Sequence, residues 1–130
     1  AHYEALLDDA QVSPMVLNNL ANLYLALGDE RALPMARRAH EAAPQVAEIS
    51  DTLGWALVKA GDPQRGLAYL RDAVARNASS LEIRLHLGIA LQQLGRDQEA
   101  RQQFREVLAA PGDSPFKQRA QRYLDSLGTR

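Results

Sequence analysis

The sequence predicts an all-α solenoid of stacked antiparallel helix pairs. Leu20, Leu53 and Leu87 recur at steps of 33 and 34 residues, and small residues follow them at the same steps. Within each unit the apolar residues recur every three or four positions, which is the spacing of one buried stripe on a helix. One helix pair cannot bury both of its stripes, so such units fold by stacking on their neighbours.

The repeated unit is clearest in residues 47–80. Gly61 ends its first helix with a residue that tolerates the left-handed conformation. Asp62 and Pro63 then supply an N-cap and a first helical residue with a suitable fixed φ. The second helix buries a stripe of small and apolar residues, which are Gly66, Leu70 and Ala73. We predict the same helix–turn–helix unit at 14–46 and 81–113.

The chain begins with half a unit. Residues 1–13 match only the second half of a repeat, with Tyr3 and Leu6 as inward positions. Ser13 followed by Pro14 predicts the cap of the next helix. The second helix of the repeat at 14–46 is expected at 31–42.

Residues typical of helix N-termini also occur at the start of the third repeat and before the last helix. Ser79 and Glu82 have the spacing of a capping box, which predicts the start of the third repeat. Ser114 and Pro115 begin a last helix, predicted at 114–128, with apolar residues on one side and charged residues on the other. A solenoid needs such a polar-backed helix at its end. We take residues 1–130 as one domain.

The chain resembles the tetratricopeptide repeat (TPR) family over nearly its whole length. The family pattern is W-x2-L-G-x2-Y, then A-x3-F, then P. The matching segments are Leu20-Ala21-x2-Tyr24 with Ala32-x3-Ala36 and Pro44, Leu53-Gly54-x2-Leu57 with Gly66-x3-Leu70, and Leu87-Gly88-x2-Leu91 with Ala100-x3-Phe104. The opening Trp is absent from all three. The resemblance implies a right-handed superhelix whose first helices line a concave groove, and a role in binding proteins rather than in catalysis.

A second resemblance covers one repeat. The segment DTLGWALVKAGDPQRGLAYLRDAV is similar to the C-terminal repeats of long bacterial TPR proteins of the cell envelope, some associated with exosortase-type systems. It implies a periplasmic or membrane-associated scaffold within a larger parent protein. A cytoplasmic location fits the sequence equally, so the compartment stays open, as do the partner, the oligomeric state and the rest of the parent chain.

The composition of the chain excludes or disfavours several classes of function. The chain has no cysteine, which excludes disulfides and thiolate catalysis. Its formal net charge of −1 argues against nucleic acid as the partner, because phosphate binding needs a basic surface. No apolar run approaches the roughly 20 residues of a membrane span.

The TPR resemblance implies that nine residues are exposed in the groove, and these are the candidate binding residues. They are Asn18, Asn22, Glu48, Asp51, Trp55, Lys59, Glu82, His86 and Ile89. An exposed Trp55 would be a typical anchor for a partner, although its ring could instead lean on the neighbouring first helix.

The charges and amides in this set suggest what the groove would hold. Glu48, Asp51 and Glu82 would favour a partner with basic character, unless they simply form a solvated helix face. Asn18 and Asn22 match the two Asn positions of the family's Lys/Asn/Arg carboxylate clamp, but its basic positions are not basic here. We therefore expect no binding of chaperone-type acidic tails.

The sequence offers little for catalysis or metal binding. His2, His40 and His86 fall on different elements with no carboxylate at ligand spacing, so we expect no metal, cofactor or enzymatic activity.

The expected function is a non-catalytic protein-binding scaffold that holds a peptide or helix. The alternatives are a spacer or self-association segment, with a homo-oligomer formed through Tyr3, Leu6 and Leu7, or an accessory domain of a larger enzyme.

Overall fold

The computed structural model describes residues 12–128, and within this range all regular secondary structure is helical. The helices are α1 (Pro14–Leu27), α2 (Ala32–Ala42), α3 (Ala47–Lys59), α4 (Pro63–Arg76), α5 (Leu81–Gln93), α6 (Asp97–Ala109) and α7 (Pro115–Leu127). Each packs on the next, and the odd-numbered helices also contact one another, α1 with α3, α3 with α5 and α5 with α7. The predicted all-α helical repeat fold is confirmed.

Side-chain caps begin four of the helices. Ser13, Asp62 and Ser114 each accept a hydrogen bond from a backbone N–H in the following turn, with Pro as the next residue. At α5 the predicted cap is wrong by one position. Ser80, not Ser79, accepts from the Ile83 N–H at 3.3 Å, because only Ser80 directly precedes the first helical residue. The Ser79 hydroxyl donates to Asn77 Oδ1 instead.

Two glycines hold α3 and α4 close together. A Cβ built on Gly66 would lie 2.6 Å from the carbonyl oxygen of Gly54, and one built on Gly54 would lie 3.0 Å from that of Gly66. Real Cβ atoms essentially never lie as close as 2.6 Å to another heavy atom, so the two backbones are in direct contact here. In the next pair, Gly88 lies against the ring of Phe104 in the same way.

The core consists of two main clusters that follow one another along the stack. Ala21, Tyr24, Ala36 and Ile49 belong to a cluster shared by α1, α2 and α3. A second cluster extends from the end of α3 to α7 and includes Phe104, whose ring stacks on Tyr123 of α7 at 5.3 Å between centroids. Among residues 12–128 there is no helix long and apolar enough to cross a membrane.

A polar network ties α3 and α4 to the turn before α3. Burial acts to raise the pKa of the Asp72 carboxyl. Hydrogen bonds from Arg76 Nε and Ser50 Oγ, both 2.9 Å long, and the charge of Arg76 outweigh this effect. The pKa of Asp72 therefore lies below its ordinary value. Arg76 also donates to the carbonyl oxygen of Gln45 at 3.1 Å. The network therefore joins α4 to α3 and to the turn before it, across 22 and 31 residues of sequence.

Asp72→Asn tests this network through the pH dependence of unfolding. A carboxyl whose pKa is lowered on folding stabilises the protein above its unfolded pKa, near 3.8, and this contribution is lost as the pH falls through the lower folded value. The Asp72 side chain is 40% exposed, so we expect a contribution below about 1 kcal/mol. Urea unfolding should show wild type more stable than the variant at pH 7 and the difference shrinking towards pH 2. An equal difference at both pH values would contradict the lowered pKa.

Candidate functional site

A cavity of about 640 Å³ opens along the odd-numbered helices, and we call it the groove. Its lining comes from α1, α3, α5 and α7 together with the cap residue Ser80, and no residue of α2, α4 or α6 contributes. Eight of the nine candidate binding residues line it, namely Asn18, Asn22, Glu48, Asp51, Trp55, Lys59, Glu82 and His86. Ile89 does not line it and is 3% exposed.

Three side chains of α3 and α5 form a connected unit at the centre of the groove. His86 Nδ1 lies 2.8 Å from Asp51 Oδ1, and both side chains are buried. The ring of His86 stacks on that of Trp55, with centroids 4.1 Å apart and planes 12° from parallel. His86 therefore does have a carboxylate partner, contrary to the expectation from the sequence, because the lateral packing of α3 on α5 joins residues 35 positions apart.

This unit fixes the position of Trp55. The indole is half-buried, since one face is covered by His86, and it also lines the groove. Lys59, one turn further along α3, places its Nζ 5.7 Å from the centroid of the indole. Trp55 thus packs on the neighbouring first helix and still presents surface to the cavity, which combines the two interpretations left open by the sequence.

The expectation that all the candidate positions are exposed is wrong at four of them. Asn18, Asp51, His86 and Ile89 are each at most 7% exposed. The cause is the lateral contact between neighbouring odd-numbered helices, which covers side chains that would face solvent on a helix without such neighbours. The remaining candidates are exposed, apart from the half-buried Trp55.

The amide end of the groove lies on α1. Asn22 is exposed, and its Oδ1 lies 3.4 Å from the hydroxyl of Thr52, which donates its shorter bond, 2.9 Å, to the carbonyl oxygen of Glu48. Asn18 is 3% exposed, and its Oδ1 has no hydrogen-bond partner among the described residues. A buried polar atom without a partner costs on the order of 1–3 kcal/mol. Rotation of the Asn18 amide towards the cavity would let it bond to a group bound there.

The acidic and basic side chains of α3 and α5 that line the groove lie at opposite ends of the helices. Glu48 and Glu82 occupy equivalent positions in the first turns of α3 and α5 and are exposed, whereas Lys59 lies in the last turn of α3. Arg119 of α7 also lines the groove and is absent from the candidates chosen from the sequence. Its signal was available, because Arg119 follows His86 by 33 residues and so continues the row of equivalent positions into the last helix.

Residues 12–128 contain no group of three or more His, Asp or Glu side chains that could hold a metal ion. Within the described part of the chain, His86 pairs with the carboxylate of Asp51, and both side chains are buried.

Comparison with known families identifies the repeat. A family model for the tetratricopeptide repeat matches residues 52–115, which contain most of α3, all of α4 to α6 and the turn before α7. The chain belongs to the TPR family. TPR folds generally serve as non-catalytic protein-interaction modules. A search of curated proteins gave no significant match.

Solved TPR structures share the fold. The crystal structure of MamA superposes with a TM-score of 0.79 at 19% identity, over 96% of this chain and 72% of MamA. The first TPR of Spaghetti (RPAP3), bound to the HSP90 peptide SRMEEVD, gives 0.77 at 20% identity, over 88% and 92% of the two chains. The second TPR domain of human RPAP3, in complex with the HSP70 peptide SGPTIEEVD, gives 0.74 at 21% identity, over 91% and 100%. At these identities the likeness concerns the fold.

Proposed function

We propose that this TPR protein is a non-catalytic scaffold whose groove binds an extended peptide segment of a partner protein. The observation that carries the proposal is the position of Trp55. Its indole lines a cavity of about 640 Å³ and is already fixed by the stack on His86. A rigid aromatic side chain loses little conformational entropy on binding, so most of the free energy gained by burying it contributes to affinity.

The structural neighbours support a peptide as the occupant. Two of them, the TPR domains of Spaghetti and of human RPAP3, were solved with bound peptides. In this chain Asn18 and Asn22 line the same cavity as Trp55, and carboxamides offer both a donor and an acceptor to a peptide backbone. An extended backbone across α1, α3 and α5 would use both features.

Two exposed carboxylates, in the first turns of α3 and α5, favour a basic side chain of the partner there, although Lys59 and Arg119 line the same groove. Glu48 and Glu82 lie at equivalent positions on adjacent helices, and both are exposed. A Lys or Arg side chain placed between them would interact with two carboxylates. The acidic residues at these positions would repel peptides of the EEVD type, and the positions equivalent to the clamp's basic residues hold no Lys or Arg.

Trp55→Ala and the charge reversal Glu82→Lys test the proposal with two labelled peptides of equal length, one carrying lysines and the other glutamates at the same positions. By fluorescence anisotropy we expect the wild type to bind the lysine peptide more tightly. Trp55→Ala should weaken binding by about tenfold or more, as loss of an anchor does. Glu82→Lys should reduce the preference for lysine.

The matched control is Glu41→Lys. Glu41 is exposed on α2, which contributes nothing to the groove, so the same change of charge there should leave affinity within about twofold once salt screens distant charges. Equal effects of Glu41→Lys and Glu82→Lys would contradict binding in the groove. Tighter binding of the glutamate peptide would contradict the basic character of the partner.

A further inference from the structure

A second cavity, of about 390 Å³, opens where α1 and α3 end and α2 begins, and we call it the end pocket. Its lining is mostly apolar and includes Leu25, Ala32, Leu33, Ala56 and Ala60. Two residues, Leu25 and Lys59, line both the end pocket and the groove. The two cavities therefore adjoin, and a chain bound in the groove can reach the end pocket.

One repeat later, a leucine stands where the end pocket has Ala60. Leu94 follows Ala60 by one repeat step and has the same backbone conformation, with φ and ψ of −85° and 1° against −81° and 0°. Because the backbones agree, the Cβ atoms of the two residues leave their helices in equivalent directions. The side chain of Leu94 packs on the second core cluster, whereas Ala60 is exposed and lacks the atoms that would reach so far.

The residues around the two positions differ in burial accordingly. Leu25 and Leu33, which line the end pocket, are only half-buried. Their equivalents one repeat later are Val58 and Leu67, which are buried and belong to the cluster on which Leu94 packs. The end pocket thus has the apolar walls of a packed junction without the leucine that the next junction contains.

We propose that the end pocket receives an aliphatic side chain of about the size of leucine from the peptide bound in the groove. The chemistry follows from Leu94, which is the group that the same fold places there when it supplies its own. This inference rests on the proposed function and adds a second recognised position to the partner. It involves the described residues alone, and the residues that the sequence offered for self-association, Tyr3, Leu6 and Leu7, lie outside them.

The length of α3 sets the spacing of the two recognised positions. Glu48 lies in the first turn of α3 and Lys59 in the last, 11 residues later, which is roughly 16 Å along the helix axis. An extended backbone covers about 3.3 Å per residue, so about five residues connect a basic side chain at Glu48 with an aliphatic one in the end pocket. The partner segment therefore carries a basic residue and a leucine-like residue about five positions apart.

Two labelled peptides that differ only in aliphatic content test this. Each has a central lysine, and the residues five positions away on both sides are leucine in one peptide and serine in the other. Either direction of binding then presents one of these residues to the end pocket. By fluorescence anisotropy we expect the wild type to bind the leucine peptide about tenfold more tightly, because burial of the leucine side chain is lost with serine.

Ala60→Leu tests the location, because it supplies the leucine from the chain itself. The preference for the leucine peptide should then fall to within about twofold, and the urea midpoint of the variant should be no lower than that of wild type. The matched control is Ala75→Leu. Ala75 is exposed on α4 and lines neither cavity, so this variant should keep the tenfold preference.

A measurement on the wild type makes the test independent of the variants. The methyl resonances of Leu25 and Leu33 should shift with the leucine peptide and not with the serine peptide, and methyl groups unmoved by both would overturn the inference. A preference that Ala60→Leu and Ala75→Leu leave equally intact would overturn it as well.

Failure of this inference is distinguishable from failure of the proposed function. Equal affinity of the wild type for the two peptides, with both weakened by Trp55→Ala, would overturn the role of the end pocket and leave binding in the groove supported. A wild type that bound neither peptide would contradict the proposed function and this inference with it.

Discussion

Gly66→Ala should destabilise the protein by about 2–3 kcal/mol, although alanine is the better helix former by roughly 1 kcal/mol. The new methyl group would lie 2.6 Å from the Gly54 carbonyl oxygen and 3.1 Å from Val58 Cγ2. A backbone oxygen does not move aside as a flexible side chain does, so α3 and α4 must separate. The loss should appear as a lower urea midpoint followed by circular dichroism.

Gly61→Ala is the control for this prediction. A Cβ at Gly61 would meet nothing within 4 Å, and its φ of +89° is the main obstacle to alanine, which costs about 1–2 kcal/mol. The loss at Gly66 should therefore exceed that at Gly61. A Gly66→Ala protein as stable as wild type would show that the two backbones are not in contact.

Asp51→Ala should cost about 2–4 kcal/mol of unfolding free energy, because it leaves the buried His86 without its hydrogen-bond partner. Both side chains of the pair are at most 10% exposed, so water replaces the lost bond poorly. The exposed Glu48, one turn earlier on the same helix, is the control, and Glu48→Ala should change stability by about 0.5 kcal/mol or less.

A double-mutant cycle measures the coupling between Asp51 and His86 directly. If they act as a pair, the summed losses of unfolding free energy from Asp51→Ala and His86→Ala should exceed the loss in the double variant by about 1–3 kcal/mol. Losses that add within about 0.5 kcal/mol would contradict the pair. The emission of Trp55, the only tryptophan of the chain, should also change in both single variants, because Asp51→Ala removes the support of its stacking partner His86 and His86→Ala removes that partner itself.

The sequence was sufficient for the helices and most of their caps because these depend on neighbouring residues. Asp62-Pro63 and Ser114-Pro115 begin helices in the structure as predicted, since capping involves positions two or three apart. The same local logic failed at Ser79 and Ser80, where two adjacent serines carry equal signals. The TPR resemblance implied eight of the residues that line the groove.

The sequence was insufficient for burial within the groove. Asp51 and His86 are polar and fall at positions expected to face solvent, yet they bury each other. Their contact depends on how closely α3 and α5 approach from the side, which helical periodicity does not encode. The same lateral packing decides how much of Trp55 remains accessible.

Binding of a partner peptide in the groove beside Trp55 is tested most directly by the indole of this tryptophan. A single tryptophan gives a single indole N–H resonance, which can be followed while the ¹⁵N-labelled protein is titrated with the lysine peptide. We predict a saturable shift of this resonance together with shifts of the Asn18 and Asn22 side-chain amides. Binding with shifts confined to α2, α4 and α6, and an unmoved indole, would contradict binding in the groove.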